Sequence, residues 1–253
     1  MNLSFDKRLT AARAVAGANG GRVPLIMGAG FYCLDDILAF IDATADLEFD
    51  AYHVMPYHPL LSLGRLDWFY RHIADHAPKP LWLYTSGNWA RSITPAFVAG
   101  LKDHPNIAGI KFSSSNAPDQ IKVIGLAEPG FQVITAVVKQ FYACLCMGSA
   151  AGTTSIASAV PEAVIEIYEL FKAGRHEEAL AAQHALIAFL DRWPRTIKQD
   201  NFLGAAEEKY ILSLRGVCDE YVTSYYRTLD DGEKAAMRAA LKDFGKVPGL
   251  ALD

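Results

Sequence analysis

The sequence has no long apolar run, no basic cluster, no complete phosphate-binding glycine fingerprint and only four cysteines, and each shortage removes a class of function. Residues 140–161 carry no formal charge, but their glycine, serine and threonine content is too polar for a membrane span. The opening Met1-Asn2-Leu3-Ser4-Phe5-Asp6-Lys7-Arg8 lacks the apolar segment of a secretory signal, so a cytoplasmic location is expected. A net charge of −4 without any interleaving of basic and aromatic residues argues against a nucleic-acid partner. Neither G-x-G-x-x-G nor a P-loop occurs, and Gly28-Ala29-Gly30 is only a fragment of such a motif. Cys144 and Cys146 do not have zinc or thioredoxin-like spacing, and both are expected to be buried small hydrophobes in a reducing compartment. No His, Cys, Asp and Glu cluster has metal-ligand spacing, so neither a metal nor a cofactor is expected.

What is present is an ordinary globular composition, 51% apolar and 21% charged over 253 residues, long enough for one large domain. Short apolar runs alternate with helical patterns. Strands are expected at 23–30, 51–57, 80–85, 107–113, 131–135 and 152–156. Helices are expected at 34–45, 66–76, 95–102, with Thr94 as cap before Pro95, and then at 117–126 and 140–147. The last third reads as helical, with Gly174 ending one helix and later helices at 176–193, 201–214 and 230–244. Six strand–helix units imply an α/β parallel sheet, and the missing nucleotide fingerprints favour a barrel over an open doubly wound sheet. Residues 1–160 form the expected barrel portion. Residues 161–253 form its last helix and a C-terminal helical segment, within a single domain.

Lys111 lies late in the strand Ile107-Ala108-Gly109-Ile110-Lys111-Phe112-Ser113. An ammonium is costly inside a buried strand, and such a lysine is kept where a neutral, nucleophilic amine is needed; otherwise its head snorkels to solvent. Alternation puts Lys111, Gly109 and Ile107 on one face. Tyr84 ends the preceding strand, and consecutive strands are usually neighbours, so its phenol can approach the amine and relay protons, or simply sit at the rim. Tyr57 and His58 close another strand at the barrel mouth, as acid/base or substrate-contact groups or as structural hydrogen bonders. His53, mid-strand, reads as a satisfied core residue. Ser113, in a serine run after Lys111, and Arg91, in the loop after Tyr84, are candidates to hold oxygens of a substrate. Ser155 and Ile156 close the last strand, where barrels bind anionic groups.

Taken together, these residues resemble the dihydrodipicolinate synthase/N-acetylneuraminate lyase family. His104-Pro105-Asn106-Ile107-Ala108-Gly109-Ile110-Lys111 looks like its Schiff-base strand, and Pro80-Leu81-Trp82-Leu83-Tyr84 like its catalytic-tyrosine strand. Gly21-Arg22-Val23-Pro24-Leu25-Ile26 and Met55-Pro56-Tyr57 match two further strands in order. The resemblance implies a (β/α)8 barrel with C-terminal helices, a homo-oligomer (dimer or tetramer), and action on pyruvate or another 2-keto acid without metal. It gives Lys111 the imine and Tyr84 the proton shuttle. The family's first two strands, with a G-T-T-G-E-type loop, have no counterpart, so a TIM barrel lacking its first two β/α units is expected. Such a chain is a shortened product, or its barrel is completed by rearrangement or a partner. His58 stands where the family has a second tyrosine, and Trp89 where an arginine is expected, with Arg91 as substitute. The expected activity is a Schiff-base lyase, aldolase or dehydratase on a 2-keto acid or 2-keto-3-deoxy sugar acid. The alternatives are a non-catalytic or weakly active member with a binding or regulatory role, and an open-sheet protein that binds a small metabolite.

Overall fold

The structure, a computed structural model, describes residues 3–56, 61–85, 92–201 and 205–250. Packing divides them into two compact units, one holding Leu3–Val137 and Cys146–Gly152, the other Val138–Leu145 and the chain from Thr153 on.

The first unit runs α1 (Phe5–Asn19), β1 (Ile26–Gly28), α2 (Leu34–Thr44), β2 (Ala51–Val54), α3 (Leu63–His76), β3 (Leu81–Tyr84), α4 (Pro95–Leu101), β4 (Ile107–Phe112), α5 (Ala117–Ile124) and β5 (Gln132–Thr135). Among the described residues the strands form one parallel sheet in sequential order, β1 to β5. That order is the one a barrel or barrel-like wall requires, each helix returning the chain to the next strand. Short polar side chains open the helices. Ser62, Thr94 and Asn116 accept from the backbone amides of Arg65, Phe97 and Asp119, and Pro95 follows its cap as expected. The sheet's helix-facing side carries Val54, Leu83, Ile110 and Val133, buried with Ile37, Phe40, Ile41, Ile73, Val98, Leu101 and Val123 of the helices. Each fully buried aliphatic of this kind contributes about 1.5–3 kcal/mol.

Two expectations need correction here. The run 152–156 is not a strand: only Gly152 bridges to Thr135, because the chain turns at Ser155 into a helix. And Ile107 does not share a face with Gly109 and Lys111. Pairing skips Ala108, so Ile107 falls opposite Leu81 and Gly109 opposite Trp82, and Ile107 joins the helix-facing core.

The second unit continues through α6 (Phe141–Cys146, whose last residue belongs to the first unit), α7 (Ile156–Ala159), α8 (Pro161–Lys172), α9 (His176–Asp191), α10 (Arg195–Asn201), α11 (Ala206–Leu214) and α12 (Asp231–Phe244). Gly174, at φ 74°, ends α8, with the Arg175 amide donating back to Leu170. Asp230 and Glu233 cap α12 reciprocally. Ile167, Leu186, Phe189, Ile197, Ile211 and Met237 anchor this unit's own core. Of the expected 201–214 helix, α11 accounts for Ala206–Leu214, and α10 is a separate helix before it that is not among the expected ones. Of the cysteine pair, both expected to be buried, Cys144 is buried and Cys146 is exposed. No described helix is long and apolar enough to cross a membrane.

Candidate active site

Parallel pairing puts residues in one row on one face of the sheet. Gly28, His53, Trp82, Gly109 and Gln132 form one such row, and Tyr84, Lys111 and Ile134 the next toward the strands' C-terminal ends. The side away from the helices therefore presents a phenol and an amine from adjacent strands.

They meet. Lys111 Nζ donates to the Tyr84 hydroxyl at 3.0 Å and lies 4.1 Å from the ring centroid. Both side chains are half-buried. Gly109, below Lys111, has no room for a side chain: a Cβ there would lie 2.6 Å from the Gln132 carbonyl and 3.0 Å from the Trp82 indole. Tyr70 of α3, fully buried, places its hydroxyl 3.1 Å from the Val54 carbonyl and 3.3 Å from that of Tyr84, so one phenol ties the ends of β2 and β3. Burial pushes the Tyr70 phenol far above its ordinary value, keeping it a neutral donor.

His53 belongs to the same constellation, and the expectation of a satisfied core histidine is wrong. Its ring stacks on Tyr84 at a centroid distance of 5.4 Å and an interplanar angle of 25°. Nδ1 is enclosed without a hydrogen-bond partner among the described residues. Burial first, then the charges of Lys111 and Arg8, lower its pKa to about 4, so the imidazole is neutral at physiological pH. Arg8 of α1 donates to the carbonyls of Gly30 at 2.6 Å and Gly28 at 3.2 Å and lies 3.6 Å over the Phe31 ring. The signal for His53 was available: a titratable side chain in the middle of an apolar strand, as with Lys111.

Among the other expected residues, Ser113 donates its hydroxyl to the Ala136 carbonyl at 3.2 Å, linking the segments after β4 and β5. Tyr57, His58 and Arg91 lie outside the described residues. Ser155 and Ile156 lie in the second unit, where they line a cavity of about 660 Å³ with Lys139, Asp191 and Trp193. Among the described residues no group of three His, Cys, Asp or Glu side chains converges as a metal site.

A primary amine hydrogen-bonded to a phenol is the equipment for imine chemistry on a carbonyl, and the sequence profile of the dihydrodipicolinate synthetase family matches residues 1–244. The chain belongs to the dihydrodipicolinate synthetase family. A 4-hydroxy-tetrahydrodipicolinate synthase from Methanosphaerula palustris is 25% identical over 250 residues, 96% of this chain and 82% of that protein. Among solved structures, YagE, a prophage protein of the dihydrodipicolinic acid synthase family from E. coli K12 in complex with pyruvate, superposes with a TM-score of 0.86 at 21% identity. That match covers 97% of this chain and 83% of YagE. N-acetylneuraminate lyase from Mycoplasma synoviae superposes with a TM-score of 0.82 at 20% identity, over 96% of this chain and 81% of the lyase. These likenesses establish the TIM-barrel type of α/β fold. Members of the family are Schiff-base aldolases acting on pyruvate, and this chain is an enzyme of that lyase and synthase family.

Proposed function

We propose that this protein is a Schiff-base-forming lyase or aldolase acting on a pyruvate-like 2-keto acid, with Lys111 as nucleophile and Tyr84 as proton shuttle. The observation that carries this is the 3.0 Å contact between Lys111 Nζ and the Tyr84 hydroxyl across neighbouring strands. The neutral amine attacks the keto carbon, forming the C–N bond while the carbonyl oxygen takes up a proton. That oxygen leaves as water, and the result is a protonated imine. Loss of a proton from the adjacent carbon, or cleavage of the bond beyond it, leaves its electron pair in an enamine that the imine nitrogen stabilises. Tyr84, within hydrogen-bond reach of the amine, carries protons between the carbinolamine oxygen and the reacting carbons.

From the sequence we add Tyr57, His58, Ser113, Arg91, Ser155 and Ile156 as substrate contacts, and a cytoplasmic homo-oligomer as the working form. Borohydride reduction with pyruvate tests the central step. The expected result is a covalent adduct located by peptide mass spectrometry on Lys111 and absent from Lys111→Arg. A wild-type protein that takes up no label at millimolar pyruvate is no imine-forming enzyme for that substrate, and the non-catalytic alternative then stands.

A further inference from the structure

We propose that His53 is a positioning residue for Tyr84. Gly28, His53, Tyr84 and Lys111 form a packed series across β1, β2, β3 and β4, in which the imidazole ring holds the phenol against the amine. This rests on the roles proposed above for Lys111 and Tyr84 and adds to them a residue whose side chain performs no chemistry itself.

Three observations carry it. First, the series is contiguous. Gly28 and His53 are register partners, and a Cβ on Gly28 would sit 3.0 Å from His53 Nε2 and 3.3 Å from Cε1, so the ring occupies the space a side chain at 28 would take. Its Tyr84 contact is the stacked one, and Tyr84 in turn accepts from Lys111. Glycine at 28 thus gives the ring its seat, and Arg8 fixes that seat by donating to the Gly28 carbonyl. Second, a core selected only for stability has little reason to enclose an imidazole nitrogen that has no partner among the described residues, as Nδ1 has none. An aliphatic chain would fill the space without that cost but would not stack. Third, among the described residues the charged or titratable groups facing the ring are Lys111, Arg8 and Tyr84. Burial first, then the charges of Lys111 and Arg8, keep the imidazole neutral, so it is a rigid flat surface for the phenol and a poor base. A phenol held from one side by a ring cannot swing about χ1 and keeps its hydroxyl at the amine, whereas one without that support moves more freely about χ1 and spreads its hydroxyl positions.

The test separates stacking from imine formation. Deuterium uptake at the pyruvate methyl carbon in heavy water reports proton shuttling after the imine forms, while borohydride trapping reports the imine itself. His53→Leu is expected to trap pyruvate on Lys111 but to exchange about tenfold more slowly, the scale of effect a small misplacement produces. His53→Phe, which keeps a flat ring, is expected to stay within about threefold of wild type. Gly28→Ala is expected to slow exchange in the wild-type background and to add little in His53→Leu, since both changes act through one contact. Wild-type exchange in His53→Leu, equal losses in the Leu and Phe variants, or additive effects of Gly28→Ala overturn the proposal. If the wild-type protein traps no keto acid, the enzymatic assignment fails on its own, and a substrate-free measurement decides this one. Acetic anhydride labelling of Lys111 across pH, read by peptide mass spectrometry, is expected to give a changed curve in His53→Leu and an unchanged one in His53→Phe. Coincident curves for wild type and His53→Leu reject the positioning role.

Discussion

The two units differ in the polar contacts that tie their elements together, although the sheet unit also carries ion pairs such as Arg71–Asp67 and Lys102–Glu128. In the sheet unit the important polar groups bond to backbone carbonyls: Tyr70 to Val54 and Tyr84, Tyr52 to Ile41, Asn106 to Ala74 and Ala77, and Arg8 to Gly28 and Gly30. In the helical unit charges largely bond to charges: Arg215 to Glu162, Arg227 to Glu233 and Asp200, Lys234 to Glu220, Lys246 to Glu166 and Arg192 to Asp243. Bonds to carbonyls fix where a strand ends, which matters when two side chains on neighbouring strands must stay 3.0 Å apart. Ion pairs between helices tolerate more slack, and they answer to salt and acid as the carbonyl bonds do not.

The largest effect is expected from overfilling the sheet. Gly109→Ala drives a methyl group into the Gln132 carbonyl and the Trp82 ring, so β4 or β5 must move, at a cost of roughly 3 kcal/mol. The urea midpoint is expected to drop accordingly, and the Lys111 adduct to be lost. An unchanged midpoint means the strands have more freedom than their 2.6 Å clearance indicates.

Acid separates the units next. His53 has a folded pKa of about 4 against 6.5 for a free histidine, so the unfolded chain takes up its proton first. Stability is therefore full above about pH 6.5 and falls as pH drops toward 4, by up to about 3 kcal/mol. Glu162 titrates lower. The Arg215 hydrogen bond holds its carboxyl below the ordinary range, so its contribution persists above about pH 4.3 and is lost as pH falls through the folded value. Unfolding free energies of His53→Gln should accordingly be flatter than wild type between pH 7 and 4. Parallel curves would remove His53 as the source of that slope.

Salt gives the smallest and sharpest contrast. Tyr70→Phe leaves the Val54 and Tyr84 carbonyls without their side-chain donor and should cost roughly 1–2 kcal/mol at any ionic strength. Arg215→Ala should cost about 1 kcal/mol in dilute buffer and less in molar salt. Equal salt dependence in the two variants would erase the distinction drawn between the units.

Much of the sheet could be read from the sequence because alternation and strand order are local properties. Tyr84 and Lys111 could be paired from consecutive strands alone, and Thr94 and Gly174 mark helix ends by their own chemistry. What escaped depended on partners. Ile107 changes face because of a register shift that exists only in the pairing with β3. Helix α1 has no clear signature in the sequence because it buries little along its length, chiefly Ala12 and Ala16, and so lacks a strong apolar stripe. The run 152–156 has strand-like composition, but only Gly152 finds a neighbour to bridge. His53 reads as a satisfied core residue because hydrogen bonding, unlike hydrophobicity, has no periodicity to read.

Tyr70 has one more implication, for how such a protein diversifies. The backbone pairing of β2 with β3 ends at Val54 and Leu83, and the Tyr70 phenol supplies one further rung beyond it, drawn from a helix rather than from either strand. The segments that follow both strands thus start from anchored points. With Lys111 and Tyr84 in the roles proposed above, insertions or substitutions beyond those points can reshape what is accepted while the spacing of amine and phenol stays fixed, so substrate range and reaction chemistry are free to evolve separately.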